Sequence, residues 1–152
     1  RPPEPFAPDR TEDFKKLSDS MSISLASGEE FGTVYEFRDM IERGGVDIVQ
    51  PDMSRCGGIT VAKKIADLAQ MHGKKLIPHA FKTGILMAAT LQLIAAIPNA
   101  DMLEYCAQET VLSKSLVRHH FRLDKDGNVA IPDLPGLGIE LNTETLERYR
   151  RG

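Results

Sequence analysis

At 152 residues, 41% hydrophobic and 27% charged, the chain has the composition of one globular domain with a core of its own. Its net charge of −3, with both signs interspersed, carries no basic footprint of the kind that binds nucleic acid. The most apolar helical stretch, Leu86 to Ala96, holds Thr90 and Gln92 and falls short of the ~20 residues that span a bilayer.

Residues 22–27 alternate polar and apolar side chains and end at Gly28-Glu29, the pattern of a strand whose C-terminal end carries Glu29. Phe37, Met40 and Ile41 then share one face of a helix over 35–43, closed by Gly44-Gly45. Residues 46–50 read as a second strand, ended by Pro51-Asp52. Gly57-Gly58 marks a turn and Thr60 a helix N-cap. Val61, Ile65, Leu68 and Ala69 form the apolar stripe of a helix that runs to His72 and stops at Gly73. A third strand, 74–79, ends on His79. The next helix, opened by Thr83 or Gly84, is apolar on nearly every face up to Ala96, where Pro98-Asn99 breaks it. Residues 102–105 form a fourth strand carrying Glu104. From Val111 the rhythm stops: Asp126-Gly127 and Pro135-Gly136 mark turns between short extended pieces, and a polar helix over 143–150 follows.

Strands alternating with helices predict an α/β fold, a parallel sheet covered by helices. Glu29, Asp52, His79 and Glu104 stand at or near successive strand ends, at intervals of 23, 27 and 25 residues. A strand, a return helix and two loops need about that much chain, a βαβ unit taking roughly 30 residues. Polar, proton-handling side chains at the same place in consecutive units are how a (β/α) barrel builds its site at one face, which favours a barrel over an open doubly wound sheet and an enzyme over a scaffold. Four units make half of an eight-stranded barrel, leaving unpaired edges.

Asp52 and His79 end adjacent units. A carboxylate on one imidazole nitrogen would fix the tautomer and leave the other nitrogen able to move a proton near neutral pH. The competing reading is a capping Asp beside an unrelated strand-end His. Glu29 fits a metal ligand, a general acid or a helix-entry carboxylate; as a hard oxygen donor it suits Mg²⁺ better than zinc. Glu104, if buried among its apolar neighbours, would keep its proton and donate a hydrogen bond; otherwise it is a solvated rim carboxylate. His119-His120 are adjacent, so they face different directions, and read as structural. Arg148, Arg150 and Arg151 read as a solvated helix end. Cys56 and Cys106 form no CxxC pair, as in a reduced cytoplasmic protein. Cys56, in a turn before a helix, fits either a thiol of lowered pKa or a plain small residue. The first residues, Arg1-Pro2-Pro3-Glu4-Pro5, lack the regions of a signal peptide.

Seven short motifs occur in order: Glu4-Pro5-Phe6-Ala7-Pro8, Ser27-Gly28-Glu29, Asp47-Ile48-Val49-Gln50-Pro51-Asp52, Arg55-Cys56-Gly57-Gly58-Ile59-Thr60, Pro78-His79-Ala80, Leu103-Glu104-Tyr105 and Pro135-Gly136-Leu137-Gly138. Together they resemble the C-terminal part of an enolase-superfamily enzyme of the mandelate racemase/muconate lactonizing type, over essentially the whole chain. The resemblance implies the C-terminal half of a modified TIM barrel, with residues 1–110 as barrel strands five to eight. Residues 111–152 would be an extension packing on a capping domain. It implies Mg²⁺ and removal of the proton α to a carboxylate, most simply in dehydration of an aldonate or aldarate sugar acid, with racemisation or epimerisation as the alternative. By motif, Glu29 is the Mg²⁺ ligand, Asp52 the carboxylate that orients the base His79, and Glu104 the acid that hydrogen-bonds the enolate oxygen.

The match departs at Pro3-Glu4-Pro5, where the family carries Glu-Glu-Pro or Glu-Gln-Pro: the usual ligand position holds Pro3, and Glu4 remains a candidate as a ligand or ligand support. The family's other ligand, its lysine base and its cap would precede residue 1. The chain is therefore expected to be the back half of an enzyme, inactive alone. Its expected partners are a small carboxylate substrate, a missing N-terminal half and further copies in a homo-oligomer. A non-catalytic half-barrel that pairs its open edges with another chain is the remaining alternative.

Overall fold

A computed structural model describes residues 4–108 and 110–151; Pro3, on which the departure from the family pattern turns, lies outside the described residues. In chain order the elements are α1 (Thr11–Ser20), β1 (Ala26–Ser27), α2 (Val34–Glu42), β2 (Ile48–Val49), α3 (Gly58–Met71), β3 (Lys75–Leu76), α4 (Gly84–Ala95), α5 (Val111–Ser115) and α6 (Thr143–Tyr149). The sheet runs β1-β2-β3, parallel throughout, with Ala26 opposite Ile48 and Val49 opposite Leu76. Parallel neighbours in sequence order, each joined by a helix, are consecutive βαβ units.

Local chemistry sets the helix ends. Thr33 and Glu36 form a reciprocal capping box at the start of α2. The Thr83 hydroxyl accepts from the Leu86 amide at 3.2 Å and opens α4. The start of α3 corrects the expectation at Thr60: the helix begins at Gly58, because Gly57 takes a left-handed turn (φ 104°) that only glycine adopts readily. Helix α1 has no counterpart in the sequence reading. Phe14 is its one buried residue, with Leu17 one turn on packed against the same core.

The main core lies between the sheet and α1, α2 and α3, where Phe14, Phe37, Met40, Ile65, Val46, Val49 and Leu76 are all buried. Phe14 takes the edge of Phe6, and Phe31 that of Phe37. As expected, α4 is buried on most faces: Leu86, Met87, Ala88, Thr90, Leu91 and Leu93 are all buried. Its far side meets Leu103, Tyr105, Phe121 and Val129 in a second, smaller cluster.

The strand ladders are shorter than the alternation predicts, two residues each. The fourth expected strand, 102–105, forms no ladder among the described residues; pairing on that edge ends where the Leu76 amide donates to the Asn99 carbonyl. A segment at a sheet edge has at most one neighbour to fix its backbone, and here that neighbour is only two residues long. Past residue 110 the chain forms α5, isolated antiparallel bridges at Val117–Leu141 and Leu123–Val129, and α6. Val117 is buried, and Gln92 on α4 donates to the Pro132 carbonyl, so this region packs on α4. It still exposes Val111, Leu112, Leu134, Leu141 and Leu146. No described helix is long and apolar enough to cross a membrane.

Candidate active site

Three of the expected residues leave the sheet at one edge, each just beyond the C-terminal end of a strand. Glu29 follows β1 through Gly28, whose φ of 128° excludes other residues and whose absent Cβ would stand 2.7 Å from the Phe37 ring. Glu4 holds this turn, accepting from the Ser27 hydroxyl at 2.6 Å and from the Gly28 amide at 3.2 Å. Asp52 follows β2 after Pro51. The His79 amide donates to the Pro51 carbonyl at 3.2 Å, which ties the end of one unit to the end of the next.

That tie brings the two side chains together. His79 Nδ1 lies 2.9 Å from Asp52 Oδ2. The other oxygen, Oδ1, accepts from the Ser54 amide at 2.7 Å and the Ser54 hydroxyl at 2.5 Å. Burial pushes the Asp52 carboxyl up, but the hydrogen bonds from His79 and Ser54 outweigh it and hold the group below its ordinary value of 3.8. Asp52 is therefore an ionised carboxylate with 0% exposure. An ionised carboxylate only accepts, so Nδ1 carries the hydrogen and Nε2 is the nitrogen turned outward. Glu29 Oε2 stands 3.4 Å from Nε2, so the imidazole lies between two carboxylates.

Glu104 joins the same group from residues 102–105. It is half-buried rather than enclosed, accepts from the Gln50 side-chain amide at 3.4 Å, and with His79 lines a small cleft of about 40 Å³. Gln50 is 6% exposed and went without a role in the sequence reading. Its signal was there: positions 50 and 52 share a face in extended chain. Ser54, which fixes Asp52, was missed because an i+2 hydroxyl after Asp is common in ordinary turns. Of the two readings of Cys56, the plain small residue is the one the structure supports. The side chain is buried, and burial together with the Asp52 charge pushes it up to about 11.

The Mg²⁺ expectation meets a partial donor set. Glu29 offers hard oxygen of the right kind, whereas Glu4 is occupied by Ser27 and Gly28 and acts as a turn support. Among the described residues no three His, Cys, Asp or Glu side chains are placed to hold a metal ion. These residues alone do not make the site.

Residues 4–145 match the enolase C-terminal domain-like family model. The chain belongs to that family. It is 34% identical to the D-galactarolactone cycloisomerase of Agrobacterium fabrum, over 97% of this chain and 41% of that protein. It is likewise 34% identical to the D-galactonate dehydratase of Variovorax paradoxus, over 97% of this chain and 40% of that protein. Among solved structures, a mandelate racemase/muconate lactonizing enzyme from Jannaschia sp. CCS1 superposes with a TM-score of 0.86 at 37% identity, over 98% of this chain and 38% of that one. The 3,6-anhydro-D-galactonate cycloisomerase of Zobellia galactanivorans gives 0.87 at 33% identity, over 96% and 41%. This enolase C-terminal domain is thus the α/β half-barrel that the sequence implied, and it spans about two fifths of the length of the curated relatives it matches.

Proposed function

We propose that this domain supplies the acid–base side of a sugar-acid lyase, which removes the proton α to a carboxylate and expels the β-hydroxyl as water. The observation that carries the proposal is the Asp52–His79 hydrogen bond at 2.9 Å, with Nε2 turned toward Glu29 and the cleft. Nε2 takes the α-proton. The imidazolium so formed, its charge balanced by Asp52, returns a proton to the departing hydroxyl. The resulting enol rearranges to a 2-keto-3-deoxy acid. Glu104, its direction fixed by the Gln50 amide, faces the oxygen on which charge builds. Mg²⁺, held by Glu29 and by ligands from outside this chain, would stabilise the second negative charge on the substrate carboxylate. The relatives named for galactonate dehydration and for galactarolactone and anhydrogalactonate cycloisomerisation support a sugar-acid substrate.

In this reading residues 1–110 are barrel strands five to eight and 111–152 the extension that docks on a cap. The exposed Val111, Leu112, Leu134 and Leu146 supply the apolar surface for that docking. The test is a screen of aldonates and aldarates with the full-length protein. A semicarbazide-reactive keto acid supports the lyase. Solvent deuterium entering the substrate without a keto product moves the assignment to an epimerase. Neither signal, together with self-association of dilute protein in sedimentation, would leave a non-catalytic half-barrel.

A further inference from the structure

The small cleft at His79 and Glu104 adjoins a larger hollow of about 180 Å³. Ala80, Phe81, Tyr105 and Cys106 line both. The far wall of the hollow is formed by His119, His120, Phe121 and Arg122, the segment whose histidines the sequence analysis set aside as structural.

Three features give this wall a chemical character. No carboxylate lines the hollow among the described residues, while Arg122 brings fixed positive charge. Among the described residues, His119, His120 and Arg122 make no ion pair, so their donors are not taken by an acidic neighbour. The wall is also held in place. The Tyr105 hydroxyl donates to the Phe121 carbonyl at 3.0 Å, and the His119 ring packs on Phe121 with centroids 4.7 Å apart. These contacts fix the Phe121 backbone and the His119 ring, and groups fixed before binding lose little entropy when an anion arrives. Arginine's planar fork suits carboxylate and phosphate oxygens alike.

We propose that this hollow binds a second anionic group of the substrate, at the end of the chain remote from the reacting carboxylate. This inference rests on the sugar-acid reading and narrows it: a carboxylate held near Glu29 and Glu104 sends the polyol along the trough past Phe81 and Tyr105 toward Arg122. The substrate is then an acid charged at both ends, an aldarate or an aldonate phosphate ester, in preference to a simple aldonate.

The test uses the full-length protein carrying His79→Asn, so that ligands bind without turnover, and titration calorimetry in Mg²⁺ buffer with galactarate, galactonate 6-phosphate and galactonate. The expected result is that one or both doubly charged ligands bind about tenfold more tightly than galactonate, roughly the worth of one charge-assisted contact. The tighter of the two identifies the terminal group. Adding Arg122→Ala should erase the difference and His120→Asn should reduce it, whereas Arg148→Ala on α6 should leave it intact. Circular dichroism confirms that each variant is folded. Equal affinity for all three ligands, or a difference indifferent to Arg122→Ala, would overturn the second-anion site and leave the sugar-acid reading standing. Binding of none of them would overturn both.

Discussion

His79 Nδ1 and Asp52 Oδ2 are 2.9 Å apart, and Asp52 is shut off from solvent with its other oxygen held by Ser54. Every acceptor direction on that carboxylate therefore serves to hold one imidazole in one tautomer. Asp52→Asn keeps the shape but turns an acceptor pair into a mixed donor and acceptor, so the ring loses both its tautomer and the charge that balances its imidazolium. In the full-length enzyme kcat should fall by about 10²–10⁴-fold, the usual worth of a positioned acid–base group, with KM little changed. A variant whose kcat stays within a few-fold of the parent would remove His79 from the chemistry.

The same carboxylate makes a prediction about acid stability. Asp52 titrates below its ordinary 3.8 in the folded chain, so above that pH both folded and unfolded forms are ionised and its contribution is complete. As pH falls, the unfolded chain protonates first, and the contribution drains away as pH passes the folded value. Urea midpoints followed from pH 5 down to pH 2.5 should fall for the parent and fall less steeply for Asp52→Asn. The slope should flatten without vanishing. Asp39, held low chiefly by the Thr11 hydroxyl, and Asp124, held low by the Asn128 and Asp126 amides, titrate in the same direction. Parallel slopes would mean that Asp52 gains nothing from its partners.

Gly28 couples the fold to the site. Its φ of 128° and the Phe37 ring 2.7 Å from where a Cβ would stand give alanine both backbone strain and a clash against a buried core ring. Gly28→Ala should lower stability by about 2 kcal/mol or more, beyond the roughly 1–2 kcal/mol of a left-handed residue alone. Because Glu29 is the next residue, the change should also weaken Mg²⁺ binding by the full-length protein. Melting temperature and a Mg²⁺ titration read the two effects separately; an unchanged melt would show that Phe37 gives way at no cost.

Two cysteines in one chain allow a check that needs no substrate. Cys56 is buried, with its thiol pushed up to about 11, while Cys106 is partly accessible beside the cleft. Iodoacetamide at pH 7.5 should label Cys106 of the native protein and spare Cys56, and label both in denaturant. Peptide mass spectrometry gives the answer directly. Rapid native labelling of Cys56 would contradict the packing around Asp52.

Much of the fold was legible because helices announce themselves locally. The stripe of Val61, Ile65, Leu68 and Ala69 and the apolar run of 86–96 each repeat over several turns, and both helices lie where those patterns put them. Helix α1, with Phe14 and Leu17 on its core-facing side, was missed, and the edge segment 102–105 was overread as a ladder strand. Strand pairing depends on a neighbour remote in sequence, which a local pattern does not contain.

By itself the sequence determined the βα period and put Glu29, Asp52 and His79 at successive strand ends. A unit of about 25 residues and the alternation within it are local properties of the chain. Only the tertiary structure decided which groups touch: that Nδ1 meets Asp52 and Nε2 faces Glu29, that Gln50 reaches Glu104, that Glu4 supports a turn, and that His119, His120 and Arg122 wall a hollow sharing Phe81 and Tyr105 with the cleft. Those contacts join residues tens of positions apart, and the packing of helices on a parallel sheet is what sets their distances.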